Sequence, residues 1–99
     1  MRPDFRKAAL ITSTEDQVSC NLEGQSLLLQ VSSGNYFGLN QVGSLVWESV
    51  QKGTTFDQIV ADVLQAYDAE RKRVEDDVEE LLSTLESEGL IRVTDAGIS

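Results

Sequence analysis

The chain's hydrophobic pattern predicts an α+β fold, a three-stranded antiparallel sheet followed by three α-helices. Three observations predict it. Between Gln17 and Leu39, short apolar runs are separated by Glu23-Gly24 and by Ser32-Ser33-Gly34-Asn35, the punctuation of a β-meander. From Gln41 onward the apolar spacing becomes helical. Between these regions lies Asn35 to Trp47, N-Y-F-G-L-N-Q-V-G-S-L-V-W, where a strand runs straight into a helix.

Residues 1–16 are weakly patterned, and Ala8 to Thr12 offers at most one extended segment. In the first strand Val18, Cys20 and Leu22 alternate with Gln17, Ser19 and Asn21, the period of a half-buried strand. Gln25 to Val31 carries Leu27, Leu28, Leu29 and Val31 on both faces, which predicts a central strand covered on both sides. Tyr36 to Leu39 follows as the third strand, at an edge. Asn40 is placed to cap the first helix, about Gln41 to Gln51, which stops at Lys52-Gly53. Thr54 or Thr55 can cap the second, where Phe56, Ile59, Val60, Val63, Leu64 and Tyr67 form one stripe. Asp68 is a candidate stop or cap before the third helix, about Glu70 to Glu88, whose apolar face is Val74, Val78, Leu81, Leu82 and Leu85. Gly89 ends it, Leu90 to Val93 is a short extended piece, and residues 94–99 read as a frayed tail. One domain over residues 17–93 is the organisation expected of 99 residues.

Composition narrows the function. The formal charge of −9 sets the chain against a polyanionic partner. Without histidine, the commonest general base and metal ligand is missing. The single cysteine, Cys20, forms no internal disulfide and reads as a small core or sheet residue. No apolar run approaches the ~18 residues of a membrane span, and no signal-peptide core is present, so a cytoplasmic location and no membrane association are expected. Asp76, Asp77, Glu79 and Glu80 lie within a helix and do not wrap an ion. No nucleophile–base pair is evident. The expectation is a non-enzyme with no metal and no cofactor.

Helices two and three, beside a sheet, would make a winged helix-turn-helix. A DNA reader needs cations on its recognition helix. The third helix opens with Arg71-Lys72-Arg73 but continues with Glu75, Asp76, Asp77, Glu79, Glu80, Glu86 and Glu88, so no nucleic acid partner is expected. The three cations either pair with Glu75, Asp76 and Asp77 at i,i+4 or meet a partner segment. The most usable surface is the outer edge of Tyr36-Phe37-Gly38-Leu39, which lacks charge and proline, and where Gly38 has no side chain to block a neighbouring backbone. Either an extended peptide adds there as a further strand, or the chain's own amino-terminal segment covers it.

The ordered set Y-F-G-L-N-x-x-G-x-x-x-W, F-x-x-I-V and D-V-x-x-L-L-x-x-L-x-x-x-G-L-I, spanning residues 17 to 93, resembles the PqqD-like family, the recognition elements for precursors of ribosomally made, modified peptides. The form Y-F-G-L-N…W is most similar to the stand-alone leader-binding protein of lasso-peptide clusters. The resemblance implies a winged helix-turn-helix that binds peptide. The precursor's leader would pair with the third strand, at Asn35, Tyr36, Phe37, Gly38 and Leu39. It would lie in a cleft against the third helix, at Arg73, Asp77 and Leu81, with Val74 and Val78 beside them. The lasso branch typically offers an aromatic and a proline of the leader to apolar pockets. Two further partners are implied, a leader-removing cysteine protease and an asparagine-synthetase-like cyclase. The alternatives are a DNA-binding winged-helix regulator and a structural subunit of a larger complex.

Overall fold

The computed structural model describes residues 5–23 and 25–95. A single 3-10 turn, Phe5–Lys7, leads into β1 (Ala8–Ser13), β2 (Gln17–Leu22), β3 (Gln25–Gln30) and β4 (Tyr36–Leu39). Three helices follow, α1 (Gln41–Lys52), α2 (Phe56–Ala66) and α3 (Arg71–Ser87), and the chain returns as β5 (Ile91–Asp95). Strands β2, β3 and β4 form the expected antiparallel meander with β3 in the middle. The fold is α+β, and α2 and α3, joined by Tyr67-Asp68-Ala69-Glu70, form its helix-turn-helix beside the sheet.

Local chemistry sets the joints. Gly34 takes a left-handed φ of 76° and its N–H closes the β3–β4 turn on the Gln30 carbonyl at 2.8 Å. Glu23 is also left-handed, with φ 54°, at the β2–β3 turn, while Gly24 of that expected turn lies outside the described residues. Asn40 caps α1, its Oδ1 accepting from the Gly43 N–H at 2.8 Å. Thr55, not Thr54, caps α2 through the Gln58 N–H at 3.2 Å. No side chain caps α3. Its N-cap is Glu70, so Asp68 does not cap it, although it lies just past the end of α2 at Tyr67.

The core gathers on one side of the sheet. Trp47, Val46, Val50, Phe56, Ile59, Val60, Val63, Leu82 and Leu85 are buried against Leu28 and Leu39. Helix α1 lies across the inner sheet face, where the Ser44 hydroxyl accepts from the Ser26 N–H at 2.8 Å and Gln51 donates to Ser19 at 3.3 Å.

The two strands outside the meander pair with each other. β1 runs antiparallel to β5, with Ile11 opposite Val93 and Ser13 opposite Ile91. Ile11 also exchanges backbone hydrogen bonds with Thr54 in the α1–α2 connection, at 2.7 and 3.0 Å. The ladder includes Thr94 and Asp95, which the sequence placed in the tail. Residues 96–99 of that tail, and residues 1–4, lie outside the described residues.

Two sequence expectations about the sheet are corrected. β3 is central in hydrogen bonding but covered on one face only: Ser26 and Leu28 are buried, Leu27 and Leu29 are partly exposed, and Val31 is exposed. The apolar side of β2 is likewise outward, with Val18, Cys20 and Leu22 all exposed. The single helical layer sits on the other side. Periodicity identified two faces but not which of them the helices would cover.

Candidate peptide-binding edge and cleft

Backbone parity decides which amides of β4 are available. The Gln30 N–H points toward β4, donating to the Asn35 carbonyl at 2.9 Å. In an antiparallel ladder this direction alternates, so Phe37 and Leu39 also turn their amide groups toward β3. Tyr36 and Gly38 therefore turn theirs away from the sheet. β4 pairs only with β3 among the described residues, because β1 is taken up by β5 and Thr54. The amino-terminal segment described here does not cover this edge. A Cβ built on Gly38 would meet nothing within 4 Å, so the approach is open.

The end of this edge opens into a groove of about 350 Å³ lined by Gly38, Leu39, Asn40, Val42, Gly43, Asp77 and Leu81. Gly43 lets the first turn of α1 sit close to β4, since a Cβ there would come within 3.2 Å of the Leu39 Cβ. Across Val42, Asp77 and Leu81 the groove continues into an apolar pocket of about 170 Å³. Val46, Val63, Tyr67, Ala69, Arg73, Val74 and Val78 complete its wall. Its lining comes from α1, α2, the α2–α3 turn and α3.

Of the residues expected at the site, the structure brings together Gly38 and Leu39 with Asp77 and Leu81, and these with Arg73, Val74 and Val78. Asn35, Tyr36 and Phe37 do not line the groove or the pocket. Asn35 precedes the strand, with its carbonyl engaged by Gln30 and its N–H by Ser33 Oγ. The Tyr36 side chain is 67% exposed, and Phe37 packs on the core. Sequence reasoning missed Val42 and Val46, although their spacing in α1 gave a usable signal. It also did not assign to the site Tyr67, read there only as part of the second helix's apolar stripe, or Ala69, which enters through the α2–α3 turn and carries no local mark.

The electrostatics of α3 are largely internal. Arg71, Lys72 and Arg73 pair with Glu75, Asp76 and Asp77 at 3.3, 3.4 and 4.0 Å, the i,i+4 arrangement expected. The Arg73–Asp77 pair is loose and exposed, and it lies at the pocket mouth. On the far side of α3, Arg6 meets Glu79 at 3.0 Å, Glu75 at 3.4 Å and Asp76 at 3.5 Å, and stacks over Phe56 at 5.0 Å. The hydrogen bond that Arg6 donates to Glu79 foremost, with the nearby carboxylate charges, raises the Arg6 pKa above its ordinary value against partial desolvation.

Comparison with known proteins matches residues 25–91 to the family model for coenzyme PQQ synthesis protein D. No curated protein matches. Two solved structures superpose well. One is described as TbiB1 in complex with the TbiA(beta) leader peptide. It shares 28% identity, with 89% of this chain and 98% of that one covered, at a TM-score of 0.76. The other is described as lasso peptide synthetase B1 complexed with the leader peptide. It shares 21% identity, with 83% and 96% covered, at a TM-score of 0.73, and the likeness there is one of fold.

Proposed function

The chain belongs to the PqqD family, and from that premise we propose that it binds the leader of a ribosomally made precursor by strand addition to β4. Its role is recognition without catalysis, in lasso-peptide maturation, and it presents the bound precursor to a leader-removing cysteine protease and an asparagine-synthetase-like cyclase. The observation that carries this reading is continuity. An edge with outward amides at Tyr36 and Gly38 runs into a groove, and the groove into an apolar pocket on α3. Main-chain pairing along the edge supplies affinity, and the pocket supplies selectivity. The neighbouring structures with bound leader peptides support the choice of ligand.

Each site residue has a distinct part. Tyr36 and Gly38 offer the amides, between Asn35, Phe37 and Leu39, which hold the strand in place. Val74, Val78 and Leu81 floor the pocket, with Val42 and Val46 opposite. Arg73 and Asp77 border its mouth and meet polar groups of the leader. No helix among the described residues is long and apolar enough to cross a membrane. The site of action proposed is the cytoplasm, where precursors are made.

The test is a titration of fluorescently labelled leader peptide against the isolated protein and its Gly38→Pro variant. Proline removes one outward N–H and adds bulk at the edge. The parent binds, and the variant loses about tenfold or more in affinity, equivalent to ~1.4 kcal/mol, with an unchanged circular dichroism spectrum. Equal affinity in the two proteins would overturn strand addition.

A further inference from the structure

The strand and the helix that wall the proposed cleft are joined at one end by a chain of hydrogen bonds. Its centre is the half-buried side chain of Gln30, the last residue of β3. Gln30 Nε2 donates to the carbonyl of Glu88, the C-cap of α3. Gln30 Oε1 accepts from the Ser33 hydroxyl at 2.8 Å, and Ser33 Oγ accepts from the Asn35 N–H at 3.2 Å. The Glu88 carbonyl can only accept, which fixes the end of the amide that faces it. One side chain therefore links the start of β4, through Ser33, to the end of α3. Gln30 itself lines neither the groove nor the pocket.

The last carbonyls of a helix have no partner within it, so a donor there also fixes the helix in place. Thr14 bonds the next two carbonyls, Gly89 at 2.8 Å and Leu90 at 3.0 Å. It does so from the end of β1, so it ties this end to the ribbon and not to β4. The opposite end of α3 has no side-chain cap. Leu81, which shares the groove with Gly38 and Leu39, lies seven residues before Glu88, about 10 Å along the helix axis. A tilt of ~10° about the Glu88 end would move Leu81 by ~2 Å relative to β4. Van der Waals contacts forfeit a quarter to a half of their strength over a gap of ~0.5–1 Å. A peptide that pairs with β4 and fills the pocket at once gains from both only when the spacing between them is right.

We propose that Gln30 is a positioning residue for leader binding, holding the end of α3 against the start of β4 and so setting the distance from edge to pocket that one peptide must span. This rests on the leader-binding reading above. The test titrates fluorescently labelled leader peptide against the parent, Gln30→Met, Gly38→Pro and the double variant. Methionine keeps the length of the side chain and removes both hydrogen bonds. Gln30→Met should lose about fivefold in affinity on the parent background and less than about twofold beside Gly38→Pro, where the leader no longer has to fit edge and pocket together. Should Gln30→Met fail to fold, Ser33→Ala breaks the same chain at an exposed turn residue, with about threefold lost on the parent background and less than about twofold beside Gly38→Pro. Thr14→Val, which removes the hydroxyl on the ribbon side, should stay within about twofold of the parent. Parent-like affinity in the Gln30 and Ser33 variants would overturn the proposal and leave leader binding standing. Equal losses on both backgrounds, or an equal loss in Thr14→Val, would reduce Gln30 to a general support of the fold and overturn it too. A parent chain that binds no leader would overturn the reading beneath, and this role with it.

Discussion

The molecule holds two sheets of opposite character. The β1–β5 ribbon is closed by its own chain: Ile11 is fully buried, its N–H and C=O both bond Thr54, and Val93 stands opposite it in the β5 ladder. The β2–β3–β4 sheet is covered on one face only, and its last strand ends the ladder. The ribbon carries stability, and the larger sheet carries unused valence. A free edge beside a free apolar face is a liability that proteins usually blunt with charge, proline or a bulge. β2 and β4 contain no charged residue and no proline, and their registers run without interruption.

The sharpest way to break this comparison is truncation inside the ribbon. Ile11→Ala should cost about 2–5 kcal/mol in urea unfolding, because it opens a cavity in the core. Leader affinity should persist wherever that variant is still folded. The next largest effect reverses the pattern. Gly38→Pro should remove most leader binding while leaving the unfolding midpoint close to that of the parent. Gly43→Ala should fall between the two sheets. The added methyl crowds the Leu39 Cβ, at ~1–3 kcal/mol, against a gain of ~1 kcal/mol from replacing a helical glycine. A net loss of about 1 kcal/mol in urea unfolding, with weaker leader binding, is expected. Arg6→Gln should lower the thermal midpoint slightly at low salt, and the difference should vanish near ~1 M salt as the contacts with α3 are screened. Smallest of all, Val18→Ser should leave stability within about 0.5 kcal/mol, since the side chain is already in water.

Much of this was legible in the residues. The caps at Asn40 and Thr55, the stops at Gly53 and Gly89, and the meander itself rest on local chemistry that short windows report. Arg73, Asp77 and Leu81, which the family resemblance set on one row of the third helix, do line a common pocket. Long-range pairing was not legible. Ala8–Ser13 has little alternation of its own and becomes a strand because β5 and Thr54 lie where it passes. The Arg6 contacts with α3 span 69 and 73 residues and leave no local trace. The orientation of β2 was misread because alternation is symmetric. Val18, Cys20 and Leu22 are as regular facing water as they would be facing a core. The helices alone break that symmetry, and they take the side of Ser19, Ser26 and Leu28.

The outward amides of Tyr36 and Gly38 have a kinetic consequence. Each hydrogen bond nets only ~0.5–1.5 kcal/mol, so under the proposed mode of binding a peptide paired there and anchored in the pocket would be held for a limited time. Severing the precursor beyond these contacts changes none of them. The spent fragment and the next intact precursor therefore compete on equal terms. If the proposed function holds, a modest grip on the old segment would favour its exchange for the next.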